Sequence, residues 1–121
     1  QRPGAGAQIL GALKAAKVNL LALTGFPASG GAQVDFIPQD NAKFTQAARR
    51  AKLKLSARKT VFLAQGDDRV GALTQIFNRL AKAKINLVSL QAVTAGKRRY
   101  GAMFWVKPKD VAKASRVLKA R

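Results

Sequence analysis

Asp67 and Asp68 stand side by side and are the only clustered carboxylates in the chain; the other acids, Asp35, Asp40 and Asp110, are isolated. Adjacent residues are too close in sequence to serve as the separated acid and base of a hydrolytic pair. The sequence holds no His, no Cys and no Glu. Imidazole bases, thiolate nucleophiles, disulfides and the usual zinc or copper ligand sets are thereby excluded, and neither a metal nor a cofactor is expected. Gly4-Ala5-Gly6 lacks the later glycine of a dinucleotide fingerprint, and no phosphate loop occurs. The chemistry left to these residues is binding rather than catalysis, so an enzyme is the weakest reading.

The 121 residues carry 23 Lys and Arg against five acids, a net charge of +18, with 48% apolar residues. That apolar fraction is ordinary for a folded protein, so the chain is expected to form one domain or two small units sharing buried surface. The charge makes an anionic partner a candidate. Most basic residues, among them Lys14, Lys17, Arg49, Arg50, Arg79, Lys82 and Lys113, fall on helix faces opposite the apolar stripes, which is the pattern of a solvated surface. Four acids, Asp40, Asp67, Asp68 and Asp110, stand just before helix-like segments, where an Asp side chain caps free N–H groups. No apolar run approaches the roughly 20 residues of a membrane span, and no secretory signal opens the chain, so a soluble cytoplasmic protein is expected.

An internal repeat organises these elements. Residues 2–23 align without a gap on residues 69–90, with 11 of 22 pairs identical, as Asn19 and Asn86 show (86 − 19 = 67). After a slip of three residues, Pro38, Asp40, Ala42 and Lys43 match Pro108, Asp110, Ala112 and Lys113, each 70 apart.

In the second repeat, Thr60 to Gln65 reads as a strand ended by Gly66. Asp68 precedes a helix whose Leu73, Ile76, Phe77 and Leu80 share one face. Ile85 to Val93 and Tyr100 to Val106 read as strands about a turn at Ala95-Gly96-Lys97, and Asp110 caps a last helix carrying Val111, Ala114 and Leu118. The first repeat follows the same order. A helix runs from Gly4 to Ala16, strands from Asn19 to Leu23 and from Ala32 to Ile37, and Asp40 caps a helix presenting Phe44, Ala47, Ala48 and Ala51. Leu53-Lys54-Leu55 is expected to close that unit as a fourth strand. Its first strand is expected before residue 1, because the chain opens at Gln1-Arg2-Pro3-Gly4 already inside the pattern.

This order implies an α+β fold, a ferredoxin-like βαββαβ unit repeated twice, with antiparallel sheets and both helices on one face. The expected units are 1–58 and 59–121. Each leaves sheet surface to bury, so pairing about a pseudo-twofold and homodimerisation are expected.

Gly66-Asp67-Asp68-Arg69-Val70-Gly71-Ala72-Leu73, followed by Leu80 and then Lys84-Ile85-Asn86-Leu87, resembles the ACT-domain pattern of a D-x-x-G-x-L loop, a helix and an Ile-Asn at the start of strand two. Arg2-Pro3-Gly4-Ala5 and Val18-Asn19-Leu20 stand at matching places in the first copy, which departs from the pattern at Gln1 and Gly6. The resemblance implies a regulatory module that binds an amino acid or similar small effector at the junction between paired domains. It assigns that role to Asp67, Asp68, Arg69, Val70, Gly71, Ala72 and Asn86, and in the first copy to Arg2, Pro3, Gly4, Ala5 and Asn19. N–H groups at a helix start can hold a carboxylate, and an Asp or Asn can receive an ammonium. Each of these residues also has a plain structural reading: Asp68 as a cap, Gly71 as a packing contact, the two Asn as turn residues.

A nucleic-acid-binding protein is the alternative, because RNA-recognition domains share the βαββαβ order. Their third-strand signature matches here at Arg98, Tyr100, Gly101 and Trp105, while Arg99 and Ala102 depart from it. Phe104 and Trp105 are neighbours and must point to opposite faces of a strand, so at least one of them is expected to pack rather than stack on a base. A ligand-free assembly module is the remaining alternative.

Overall fold

A computed structural model of the chain describes residues 5–28, 31–56 and 58–120. The chain divides into two compact units, Gln1–Ala57 and Arg58–Arg121.

In the first unit, α1 (Ala5–Ala15) is followed by β1 (Leu20–Ala28), β2 (Gly31–Pro38) and α2 (Asn41–Arg50). The two strands pair antiparallel, with Leu23 opposite Phe36 and Gly25 opposite Val34. Spacing decides which side chains are buried: Phe44, Ala47 and Ala48 fall at i, i+3 and i+4 on one helical face and join Leu13 and Val18 in the core. Phe36 supplies the sheet's contribution, its ring centroid 5.3 Å from that of Phe44. Asp40 caps α2 as its position suggested, accepting a 3.1 Å hydrogen bond from the Lys43 N–H. Replacing Asp40 with Ala should remove about 1 kcal/mol of stability, read as a lower urea midpoint with an unchanged slope.

Leu53-Lys54-Leu55 is not a strand. The Leu53 N–H is already committed to the Ala48 carbonyl at 2.9 Å, and its side chain packs on the first core, so this stretch is the end of a helix cap. The expected first strand of this unit lies outside the described residues.

The second unit runs β3 (Phe62–Asp67), α3 (Thr74–Lys82), β4 (Leu87–Thr94), β5 (Arg99–Val106), a single 3-10 turn at Pro108–Asp110, and α4 (Val111–Leu118). Its sheet has the order β3-β5-β4, antiparallel throughout. Alternation along the strands puts Phe62, Phe104 and Val106 on one face, where they meet Leu80 of α3, Ile85 and Ala114 of α4. Both helices therefore cover the same side of the sheet, as the ferredoxin-like order requires. The outer edges of β3 and β4 and both edges of the β1–β2 ribbon pair with no further strand among the described residues. Leu21, Val88 and Val93 lie exposed on β1 and β4.

Gly66 does not end β3. It lies opposite Tyr100 inside the ladder, and a Cβ there would sit 2.8 Å from Tyr100 Cε2, so the ring lies over the glycine and the strand continues to Asp67.

All four helices end in the same way. The residue after the last turn is a lysine with positive φ: Lys17 (59°), Lys52 (59°), Lys84 (60°) and Lys119 (54°). In each, the following N–H reaches back five residues, as Val18 to Leu13, Leu53 to Ala48, Ile85 to Leu80 and Ala120 to Ser115, all at 2.9 Å. This is the Schellman closure, which ordinarily uses glycine at the left-handed position; a side chain bearing a Cβ costs about 1 kcal/mol or more there.

Candidate functional site

The sheet register fixes the loop that follows β3. Asp67 pairs with Arg99, and the Asp68 N–H donates to the Arg98 carbonyl at 2.7 Å, carrying the ladder one step past the strand. Asp67 Oδ1 also accepts from Arg99 Nη1 at 2.9 Å; both side chains are largely exposed, so this pair adds at most about 1 kcal/mol and mainly holds direction.

Beyond it the chain makes a tight turn instead of entering the helix at once. The Ala72 N–H donates to the Arg69 carbonyl at 3.1 Å and the Thr74 N–H to that of Gly71 at 3.0 Å, with Gly71 at φ +75°. Helix α3 begins at Thr74, and its N-cap position is Leu73, which makes no side-chain cap. Asp68 is thus too far upstream to cap the helix, contrary to the sequence expectation. Asp110 stands at the N-cap of α4 without a side-chain cap bond, and Asp67 is engaged by Arg99, so of the four acids read as caps Asp40 alone makes that bond among the described residues.

Asp68, Gly71, Ala72 and Leu73 of the turn, Thr74 and Phe77 of α3, and Ala92, Thr94 and Tyr100 of the sheet line an open groove of about 490 Å³. Leu73, Phe77, Ala92 and Val93 supply apolar side chains to its lining. The lining residues with polar side chains are Asp68, Thr74, Thr94 and Tyr100. The N–H groups of Gly71 and Leu73 have no acceptor among the described residues. Such a groove can take a small molecule bearing a cation, an anion and an apolar part.

The other residues assigned from the sequence fall elsewhere. Arg69 and Val70 are exposed on the turn and do not line the groove; Val70 is fully exposed. Asn86 lies at the far end of the sheet. It precedes Leu87, which pairs with Val106, whereas the loop follows Asp67, which pairs with Arg99. Seven residues of β5 separate those two rows, roughly 23 Å, so one unit does not bring Asn86 to its own loop. Asn86 instead lines a second groove of about 440 Å³ with Leu80 and Ile85. In the first unit, Asn19 Nδ2 donates to Gln39 Oε1 at 3.1 Å and the Asn19 carbonyl accepts from the Gln39 N–H at 2.9 Å, closing the end of the ribbon. Arg2, Pro3 and Gly4 lie outside the described residues, and Ala5 begins α1.

Sequence reasoning missed Phe77, Thr94 and above all Tyr100 as groove residues. The signal for Tyr100 was present: pairing the strand that ends in Gly66-Asp67 antiparallel to the one after the turn sets Tyr100 over Gly66. The base-stacking platform fails on the same geometry. Tyr100 and Phe104 point to the helix side, and Phe104 is buried against Phe62 with centroids 5.4 Å apart. Trp105, on the opposite face, is left as the one strand aromatic there.

The sequence profile of the ACT domain matches residues 60–121, and the chain belongs to the ACT domain family. The fold is similar to that of protein BT0572 from Bacteroides thetaiotaomicron, at TM-score 0.82 and 18% identity, covering 98% of this chain and 80% of that one. It is also similar to the crystal structure of aspartokinase alpha and beta subunits, at TM-score 0.59 and 22% identity, covering 99% of this chain and 84% of that one. Both likenesses are of fold. No curated protein matches the sequence. Family membership supports a ligand-binding regulatory role, and among the described residues no helix is long and apolar enough to cross a membrane.

Proposed function

We propose that the chain is a tandem ACT module, 1–58 and 59–121, that binds an amino acid with an uncharged, apolar side chain and acts by regulation rather than catalysis. The observation that carries this reading is the groove beside α3. There a carboxylate that caps no helix, Asp68, shares one concavity with Gly71 and Leu73, whose N–H groups have no acceptor among the described residues, and with the apolar side chains of Phe77 and Ala92. The ammonium of a zwitterion would meet Asp68, its carboxylate the two N–H groups, and its side chain Phe77, Ala92 and Tyr100. Asn86 can complete such a site only from another unit or a second copy, so pairing belongs to the proposal. Ligand binding would then favour one paired arrangement over another, and that difference in affinity is the regulatory output.

Thermal melting against the twenty amino acids near physiological salt tests it. Ligand at a hundred times its Kd should raise Tm by roughly 10 °C, and Asp68→Asn should abolish the rise. A shift that survives in Asp68→Asn would place the ligand elsewhere. No shift with any of the twenty would leave an assembly module as the better description.

A further inference from the structure

Six residues other than glycine hold positive φ among the described residues, and every one is basic: Lys17, Lys52, Lys84, Lys97, Arg98 and Lys119. Four close the helices. They form two pairs at the repeat spacing, since 84 − 17 and 119 − 52 both equal 67. The other two, Lys97 and Arg98, both at φ 55°, occupy the turn between β4 and β5, where Asn-Gly is the usual solution. All six are exposed, and none makes an ion pair among the described residues.

The helix dipole explains little of this. A cation near a helix C-terminus is favourable, but each last turn already carries one: Lys14, Arg49 and Arg50, Arg79 and Lys82, and Arg116. The hairpin residues end no helix at all. Positive charge is thus kept at positions where the backbone favours glycine, and strain of that kind points to a use for the charge.

We propose that these left-handed Lys and Arg residues contact the phosphate backbone of nucleic acid, independently of sequence and separately from the small-molecule groove. Within the second unit alone the charges stand at opposite ends of the sheet, Lys84 before β4 and Lys97 and Arg98 at the hairpin, instead of forming one patch, which suits a chain of regularly spaced phosphates better than a planar lipid surface. With Phe104 in the core and Tyr100 over Gly66, Trp105 alone remains on the open face of β5 and no platform of paired aromatics forms, so binding should not depend on base identity.

The test compares two charge-matched variants of the full chain at about 150 mM salt, with a mixed-sequence 20-base-pair DNA duplex as probe. Changing Lys17, Lys52, Lys84 and Lys119 together to Gly should raise Tm, because strain is removed. It should also weaken duplex binding by more than tenfold and flatten the dependence of log affinity on log salt by roughly 3.6, about 0.9 for each of the four contacts. Changing Lys43, Lys54, Lys59 and Lys109 together to Gln should leave Tm in place and weaken binding less than threefold. Arg at the four left-handed positions should retain wild-type binding, and Asn replaces Gly should the glycine variant fold poorly. Equal loss in the two charge-matched variants would reduce the effect to net charge and overturn the proposal. So would binding to vesicles of anionic phospholipid without binding to the duplex, or no duplex binding by the wild type at this salt.

Discussion

Phe104→Ala should unfold the second unit at room temperature. The ring is 2% exposed, stacked on Phe62 at an interplanar angle of 13°, and surrounded by Leu80, Ile85, Val106 and Ala114. Truncating a buried Phe costs about 3–5 kcal/mol, from lost transfer energy plus a cavity that rigid neighbours only partly fill. A unit of this size is stable by roughly 3–10 kcal/mol in all, so the loss is of the same order as the whole. Urea titration followed by Trp105 fluorescence reads this unit directly, because Trp105 is the chain's one tryptophan and lies on β5. Leu63→Ala is the matched control. Leu63 sits on the neighbouring strand but on the opposite face, 48% exposed, and its truncation should cost less than about 1 kcal/mol. Similar losses in the two variants would mean that the helix-covered face is not the core.

The second large effect is expected at Gly71. Valine there must adopt φ +75° with a branched Cβ, whose first carbon already stands 3.3 Å from Thr74 Oγ1. The strain alone is about 1–2 kcal/mol, and the added methyls project from the turn whose N–H groups are assigned to the ligand. Gly71→Val should therefore lower the melting temperature by several degrees and remove the response to amino acids together. Gly71→Asn separates the two consequences, since Asn tolerates the left-handed conformation: most of the stability should return while ligand affinity stays reduced. Unchanged affinity in Gly71→Val, measured calorimetrically, would remove the turn from the binding site.

The element order was readable in the sequence because the repeat supplied each pattern twice and because apolar spacing follows the periods of helix and strand. Phe44, Ala47 and Ala48, or Leu80 beside Ile76, could be placed in a core from spacing alone. Errors arose where tertiary contacts override local preference. Gly66 reads as a strand end until Tyr100 is laid across it, and Leu53 reads as a strand start until the helix cap claims its N–H. Asp68 reads as a cap because a turn of four residues before a helix leaves no periodic trace. Less than half of the groove was legible: Asp68, Gly71 and Ala72 fall within one short motif, whereas Phe77, Ala92, Thr94 and Tyr100 reach it from three other elements. The separation of Asn86 from the loop was implicit in the element order, because the strand-helix-strand crossover sets β4 parallel to β3 and so returns its first residues to the end of the sheet opposite the loop.

The bare edges have a bearing on how the protein behaves as a colloid. β1 and β4 contain no charged residue, and unpaired apolar strands are templates for intermolecular sheet growth. β2 and β3 carry Asp35 and Asp67 on their own edges, but at β1 and β4 the guard is the repulsion between whole molecules of charge +18. Its range is about 10 Å in 0.1 M salt and about 3 Å in 1 M. Concentrated salt that strips polyanions from the protein during purification would thus also let its edges meet, so monodispersity and freedom from polyanions pull in opposite directions.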